Sequence, residues 1–228
     1  MCTVSWLRES DGGYKLFCNR DEKRTRKAAI APQLQTARGA RFIAPLDAEC
    51  GGTWIGVNEH GVSICLLNRY DRAARGRVSR GLLVLDLLGS RSAVEAVQSA
   101  AERDLGEFSP FTLAVLEPAS PTALCVWDGA VPQIFPDADA LIPLVSSSRD
   151  QKGAEKARKT VLQQAESLEH FHRAHMDGPS AYSPCMHRDD AETVSFSRVN
   201  VSASEISLSY SPAPPCRRVL PLILNIPR

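Results

Sequence analysis

Short apolar runs broken by Gly-, Asp- and Asn-bearing turns open the chain. Residues 3–7 and 14–17 have strand character, and Asp11-Gly12 between them signals a tight hairpin turn. Residues 53–57 and 62–67 form a second such pair, joined by Asn58-Glu59-His60-Gly61, whose Asn and Gly tolerate positive φ. The pattern then changes period. Residues 81–88 and 93–105 carry apolar side chains at helical spacing, with Ser90 or Ser92 placed to cap the second helix. Strand character returns at 111–116, 123–127 and 141–145, between turns at Pro118, Pro121, Pro132 and Pro136. Residues 151–171 are rich in helix formers, and Val161, Leu162, Ala165 and Leu168 make one apolar stripe, which predicts a long amphipathic helix. After a loop around Asp177-Gly178-Pro179, residues 193–201 and 206–210 read as a closing antiparallel pair. This order predicts an α+β fold in which two sheets pack together with helices on their outer faces, a four-layer αββα sandwich.

Length and charge narrow the picture. At 228 residues the chain fits one domain, 1–228, with a sizeable core. Its 27 basic and 26 acidic residues give no basic excess to attract nucleic acid or an anionic membrane, so a small molecule is the expected partner. The first residues lack the apolar centre of a signal peptide, and no run approaches the roughly 20 residues of a membrane span, so a soluble, cytoplasmic protein is expected. Seven cysteines, an odd number, argue against a disulfide framework and for buried thiols, with Cys2 the exception.

Cys2 stands out through the register of the first hairpin. A symmetric two- or four-residue loop pairs Arg8 with Lys15, Trp6 with Phe17, Val4 with Asn19 and Cys2 with Asp21, whereas a three-residue loop breaks that pairing. Removal of Met1 would leave one residue carrying both a thiol and a free α-amine. The amine's reference pKa of about 7.7–8.0, against roughly 8.5 for a thiol, lets it accept the thiol proton near neutral pH. Asp21 is then placed to orient that amine. The symmetric register of the second hairpin sets Asn68 opposite Gly51, beside Gly52, where an amide could donate to an oxyanion and glycines let a ligand approach the backbone.

Met1-Cys2, Asn19-Arg20-Asp21-Glu22, Gly51-Gly52-Thr53-Trp54-Ile55-Gly56-Val57 and Leu67-Asn68-Arg69-Tyr70 resemble the Asn-Arg-Asp-Glu family, also called the transport and Golgi organisation 2 family. Weaker similarity runs through His187-Arg188-Asp189-Asp190-Ala191-Glu192-Thr193-Val194-Ser195. That family in turn is similar to the cysteine N-terminal-nucleophile amidases. The resemblance implies their αββα fold, with Cys2 as nucleophile, Asp21 holding the α-amine and Asn68 as oxyanion donor. It further implies substrate contacts from Asn19, Arg20, Gly51, Gly52, Trp54 and Arg69. The amidases place an arginine where this chain has Cys18, and a second asparagine where it reads Val145-Ser146-Ser147-Ser148, so the hydroxyls of Ser146 and Ser147 stand in as donors.

The reaction so implied is attack on a small amide through a thioester, with no cofactor. The alternative is a non-catalytic protein that holds haem or a lipid in the same cleft, as has been proposed for members of the resembled family. His170, His172, His175, Cys185 and His187 have donor atoms suited to zinc, but no pair has the spacing of a Cys-x-x-Cys site, and a polar loop with no metal is expected. Arg20, Arg24, Arg26 and Lys27 make a basic cluster suited to a substrate carboxylate or phosphate, with solvated surface the expected fate of Arg24, Arg26 and Lys27.

Overall fold

The computed structural model describes residues 2–70, 76–176 and 180–227; Met1 and the expected loop at Asp177-Gly178-Pro179 lie outside them. Strands β1 (Cys2–Arg8), β2 (Tyr14–Lys23), β3 (Ile30–Ala37), β4 (Ala40–Leu46), β5 (Ile55–Asn58) and β6 (Ser63–Asn68) come first. Helices α1 (Arg80–Leu87) and α2 (Ala93–Ala101) follow, then β7 (Phe111–Leu116), β8 (Ala123–Trp127), β9 (Pro132–Phe135) and β10 (Leu144–Ser146). The chain continues through α3 (Gln151–Gln164), α4 (Leu168–Arg173), β11 (Ala191–Val201), β12 (Ile206–Ser211) and β13 (Leu222–Ile226).

One sheet runs β10-β1-β2-β11-β12-β13 and the other runs β3 through β9 in sequence order, with all pairings antiparallel. Between the sheets lie Val4, Trp6, Leu16, Ile43, Ile55, Val57, Leu67, Leu116, Val199 and Leu208, all buried. The opposite face of the β3–β9 sheet packs Ile64, Leu66, Leu113 and Val115 against Leu83, Leu87, Ala96 and Val97 of α1 and α2. Helices α3 and α4 cover the far face of the other sheet, over β10 and β2. The fold is the expected αββα sandwich. Strands β3, β9 and β13 lie at sheet edges, are largely exposed, and so lack the alternation that marks a half-buried strand.

Both predicted hairpins form, but with three-residue loops. Gly12 donates to Glu9 O at 3.1 Å and takes φ +84°, while Glu9 N pairs with Gly13 O at 2.9 Å. Gly61 repeats the arrangement, donating to Asn58 O at 2.9 Å with φ +76°, and Asn58 N pairs with Val62 O. Each is a turn closed by a left-handed glycine, the three-residue hairpin solution. The symmetric register is therefore corrected by one residue: Cys2 faces Arg20, Val4 faces Cys18, Trp6 faces Leu16 and Arg8 faces Tyr14. The second hairpin shifts likewise, with Ile55 opposite Cys65, and Asn68 pairs across to Phe111 on β7 rather than to Gly51.

The long helix expected over 151–171 is two. Asp150 caps α3 by accepting from Gly153 N, and Ser167 caps α4 by accepting from His170 N, so a second N-terminus interrupts the run. The stripe of Val161, Leu162, Ala165 and Leu168 is only half-buried; the fully buried positions of α3 are Ala154 and Arg158. Ser92, not Ser90, caps α2.

Candidate functional site

Cys2 is the first residue of β1, and its side chain faces the inter-sheet space beside Cys18 and Arg20 of β2. A cavity of about 690 Å³ opens there, bordered by Cys2, Arg20, Asp21, Gly52, Trp54 and Asn68, with Arg77 just before α1 and Arg80 as its first residue. The Arg20 guanidinium lies 4.4 Å from the centre of the Trp54 ring and donates to Asp47 Oδ2 at 2.8 Å. Asp47 also takes Nε and Nη2 of Arg26 at 3.0 Å each, and the backbone N–H groups of Glu49 and Cys50. Burial alone would raise the Asp47 pKa, but these donors hold it below the ordinary carboxylate range. Arg26, expected at the solvated surface, is thus clamped with Arg20 by one carboxylate.

Asp21 is buried on the helix-covered face of β2. Thr193 donates its hydroxyl to Asp21 Oδ1 at 2.6 Å, and Arg158 of α3 reaches Oδ2 at 3.5 Å. The same guanidinium, wholly buried, donates to Thr3 Oγ1, to Cys2 O at 3.4 Å and to Ala181 O at 3.2 Å. Arg158 therefore ties the first peptide of β1 to the Asp21 carboxylate. Although Asp21 does not face Cys2 across the hairpin, its charge still reaches the thiol. The Cys2 pKa is raised well above the ordinary thiol range, chiefly by a hydrogen bond with Cys18 and then by burial, while the positive N-terminus acts the other way.

Asn68 ends β6, where Ser146 of β10 donates to its backbone carbonyl at 2.6 Å. Since Ser146 is also the β10 partner of Cys2, this bond draws Asn68 toward the start of β1. The Asn68 amide donates to the Tyr70 hydroxyl at 3.1 Å.

A family model described as Transport and Golgi organisation 2 matches residues 1–172. This chain belongs to that family. A comparison with curated proteins gives no match. Among solved structures, penicillin V acylase from Agrobacterium tumefaciens aligns with a TM-score of 0.59 at 10% identity, over 99% of this chain and 86% of its own. The Caenorhabditis elegans ortholog of N-acylethanolamine-hydrolyzing acid amidase aligns at 0.60 and 15% identity, over 100% of both chains. A cysteine-to-alanine variant of conjugated bile acid hydrolase from Clostridium perfringens aligns at 0.56 and 10% identity, over 100% of this chain and 92% of its own. The fold of this family member is that of the N-terminal-nucleophile hydrolases.

Other residues singled out in the sequence fall in different places. Asn19 is buried away from the cavity, its amide donating to His172 O at 2.9 Å and Pro184 O at 2.8 Å. Gly51 is an exposed turn residue with φ +70°, and the crowding at Gly52 comes from the backbone of Gly81, which would lie 2.3 Å from an added Cβ. Arg69 lines a neighbouring cavity of about 320 Å³ with Asn68 and Tyr70. Ser147 is buried, and its N–H donates to Gln151 Oε1 at 2.7 Å. Sequence reasoning missed Arg158, Asp47 and Thr193. A lone arginine in a helix otherwise rich in surface residues, three or four positions from apolar ones, was the available sign of Arg158.

The zinc-suited set also divides. His172 is buried, with Nε2 at 2.8 Å from Ser5 Oγ and its ring stacked on Phe17, and His170 stands beside Glu166 at the surface. His175, Cys185 and His187, by contrast, come together, and Cys216 joins them. Among the described residues no helix is long and apolar enough to cross a membrane.

Proposed function

We propose that this chain is an amidohydrolase or acyl transferase in which Cys2, made the first residue by removal of Met1, attacks the carbonyl of a small amide. The observation that carries the reading is the placement of Cys2 at the start of an inner-layer strand, on the cavity that Asp21 and Asn68 also border. The freed α-amine takes the thiol proton, the thiolate adds to the amide carbon, and the oxyanion finds a donor in the Asn68 amide, an interaction worth about 2.7–4 kcal/mol in comparable sites. Collapse of that intermediate breaks the C–N bond, the leaving amine takes the proton from the α-ammonium, and water or another amine resolves the thioester. Asp21, held by Thr193 and Arg158, orients the α-amine. Arg20, Arg77 and Arg80, which line the cavity, suit a substrate bearing a carboxylate or phosphate. The named activities of the structural neighbours, an acylase, an amidase and a hydrolase, support the reaction class. This chemistry needs no cofactor.

A second reading rests on the Cys2 thiol being buried beside Cys18 within that cavity wall: a protein that holds haem or a lipid in the same cavity without chemistry. Mass spectrometry separates the two. The catalytic reading expects the intact mass to lack Met1 and a panel of activated acyl amides and esters to leave an acyl adduct on Cys2. In that assay Asn68→Ala should slow adduct formation about 100-fold while affinity changes little. Retained Met1, or tight binding with no adduct on Cys2, overturns it in favour of the binding protein.

A further inference from the structure

Four side chains outside the cavity converge on one point. His175 follows α4, Cys185 and His187 lie in the segment leading to β11, and Cys216 lies between β12 and β13. One ligand atom from each falls within 4.8 Å of all the others. His187 Nε2 is 3.5 Å from Cys185 Sγ and 3.3 Å from Cys216 Sγ, and the rings of His175 and His187 meet edge to face at 5.0 Å. With Zn–S of about 2.3 Å and Zn–N of about 2.0–2.1 Å, the N-to-S edge of a tetrahedral site is about 3.6 Å, close to the separations already present.

The other ring nitrogen of His187 supplies a second, independent sign. Its Nδ1 faces Glu192 Oε2 at 3.7 Å, and that oxygen is buried with no hydrogen bond among the described residues, while Oε1 of the same carboxylate pairs with Arg24 at 2.9 Å. A carboxylate behind a ligating imidazole fixes its tautomer and orientation, leaving the opposite nitrogen free to bind metal. Sequence spacing does not announce the set, because the β11–β12 hairpin assembles it. The register Phe196↔Ser211, extended past the strand ends, brings residue 216 to the level of Ala191 and so to the His187–Glu192 bridge.

We propose that His175, Cys185, His187 and Cys216 form a closed, four-coordinate site for Zn²⁺ that pins the α4–β11 connection to the β12–β13 connection. Two thiolates and two imidazoles fill a tetrahedral shell and leave no position for substrate, so the ion is structural. Each cysteine releases its proton to bind. The site also braces the Asp21 support: between Cys185 and His187, Met186 N donates to Thr193 Oγ1 at 2.8 Å, and that hydroxyl donates to Asp21. Its existence does not depend on whether Cys2 is a nucleophile.

The test uses the full chain, purified without chelator and with reduced thiols, and analysed for metal by mass spectrometry. Near-stoichiometric zinc is expected. After zinc removal, Co²⁺ should restore one ion per chain with the intense visible bands of tetrahedral coordination and a thiolate charge-transfer band. His175→Ala alters an exposed residue, so it should remain folded by circular dichroism yet bind Zn²⁺ about 100-fold more weakly or worse, and Cys216→Ser should do the same. Should either variant fail to fold, hydrogen exchange of the wild-type chain decides: zinc removal should speed exchange at the Met186 and Thr193 amides and leave β6 and β7 unchanged. Absence of both zinc and a tetrahedral cobalt spectrum, a disulfide between Cys185 and Cys216, unchanged affinity in folded variants, or exchange indifferent to zinc would each overturn the proposal.

Discussion

Replacing Arg158 by Met tests what holds the first strand to Asp21. Methionine keeps much of the stem's volume, so the change removes the guanidinium rather than opening a large cavity. What is lost is specific: donors to Thr3 Oγ1, Cys2 O, Ala181 O and Asp21 Oδ2, all within an environment where both ionic partners have no exposed side-chain area. Breaking a buried pair by deleting one member costs about 3–5 kcal/mol, because the remaining charge stays buried. For a chain of this size about 2–4 °C of melting temperature goes with each kcal/mol, so Arg158→Met should melt roughly 10 °C lower. The assay is urea and thermal unfolding followed by circular dichroism, run as a double-mutant cycle with Asp21→Asn. If the buried carboxylate deprived of Arg158, and left with Thr193 as a donor, is the main cost, the double variant should be more stable than the sum of the two single losses by at least about 1 kcal/mol, a coupling expected only of contacting residues. Additive losses, or an Arg158→Met protein within 1 kcal/mol of wild type, would refute the argument that this pair organises the site.

His172 should make folding pH-dependent. Burial, aided by Arg158, holds its pKa down to about 3, so between that value and about 6.5 the unfolded chain binds a proton that the folded chain refuses. The contribution is therefore complete above pH 6.5 and is lost as pH falls toward 3, at up to about 1.4 kcal/mol per unit, and His172→Gln should remove roughly 2 kcal/mol of the pH 7 to pH 5 difference in urea unfolding. A variant with the wild-type pH slope would show that His172 does not titrate in this window. Gly52→Ala should destabilise by about 1–3 kcal/mol, since the new methyl must displace the Gly81 backbone, and an unchanged melting temperature would deny that contact.

The layers of the fold were legible because strands covered on both faces read as short apolar runs between turn residues: the pairs at 3–7 with 14–17 and 193–201 with 206–210 all appear in one sheet, and only β11 of the four alternates buried with half-buried positions. Edge strands such as β9, with three exposed residues out of four, carry no such signal. Register was less legible than pattern, because Asp11-Gly12 and Asn58-Glu59-His60-Gly61 suit loops of different length and one residue of slip exchanges every facing pair. One residue of slip moves Asp21 from the position facing Cys2 to the helix-covered face, yet the two remain linked because Arg158 spans them. Arg158 itself, like Cys216, comes from a segment far along the chain, and its role depends on what the opposite surface offers. Local sequence can mark a residue's chemical capacity, but a buried arginine or a fourth ligand acquires its function only from the partner that the topology delivers. For this reason the N-terminal motif residues were found from the sequence, whereas the groups that hold them were not.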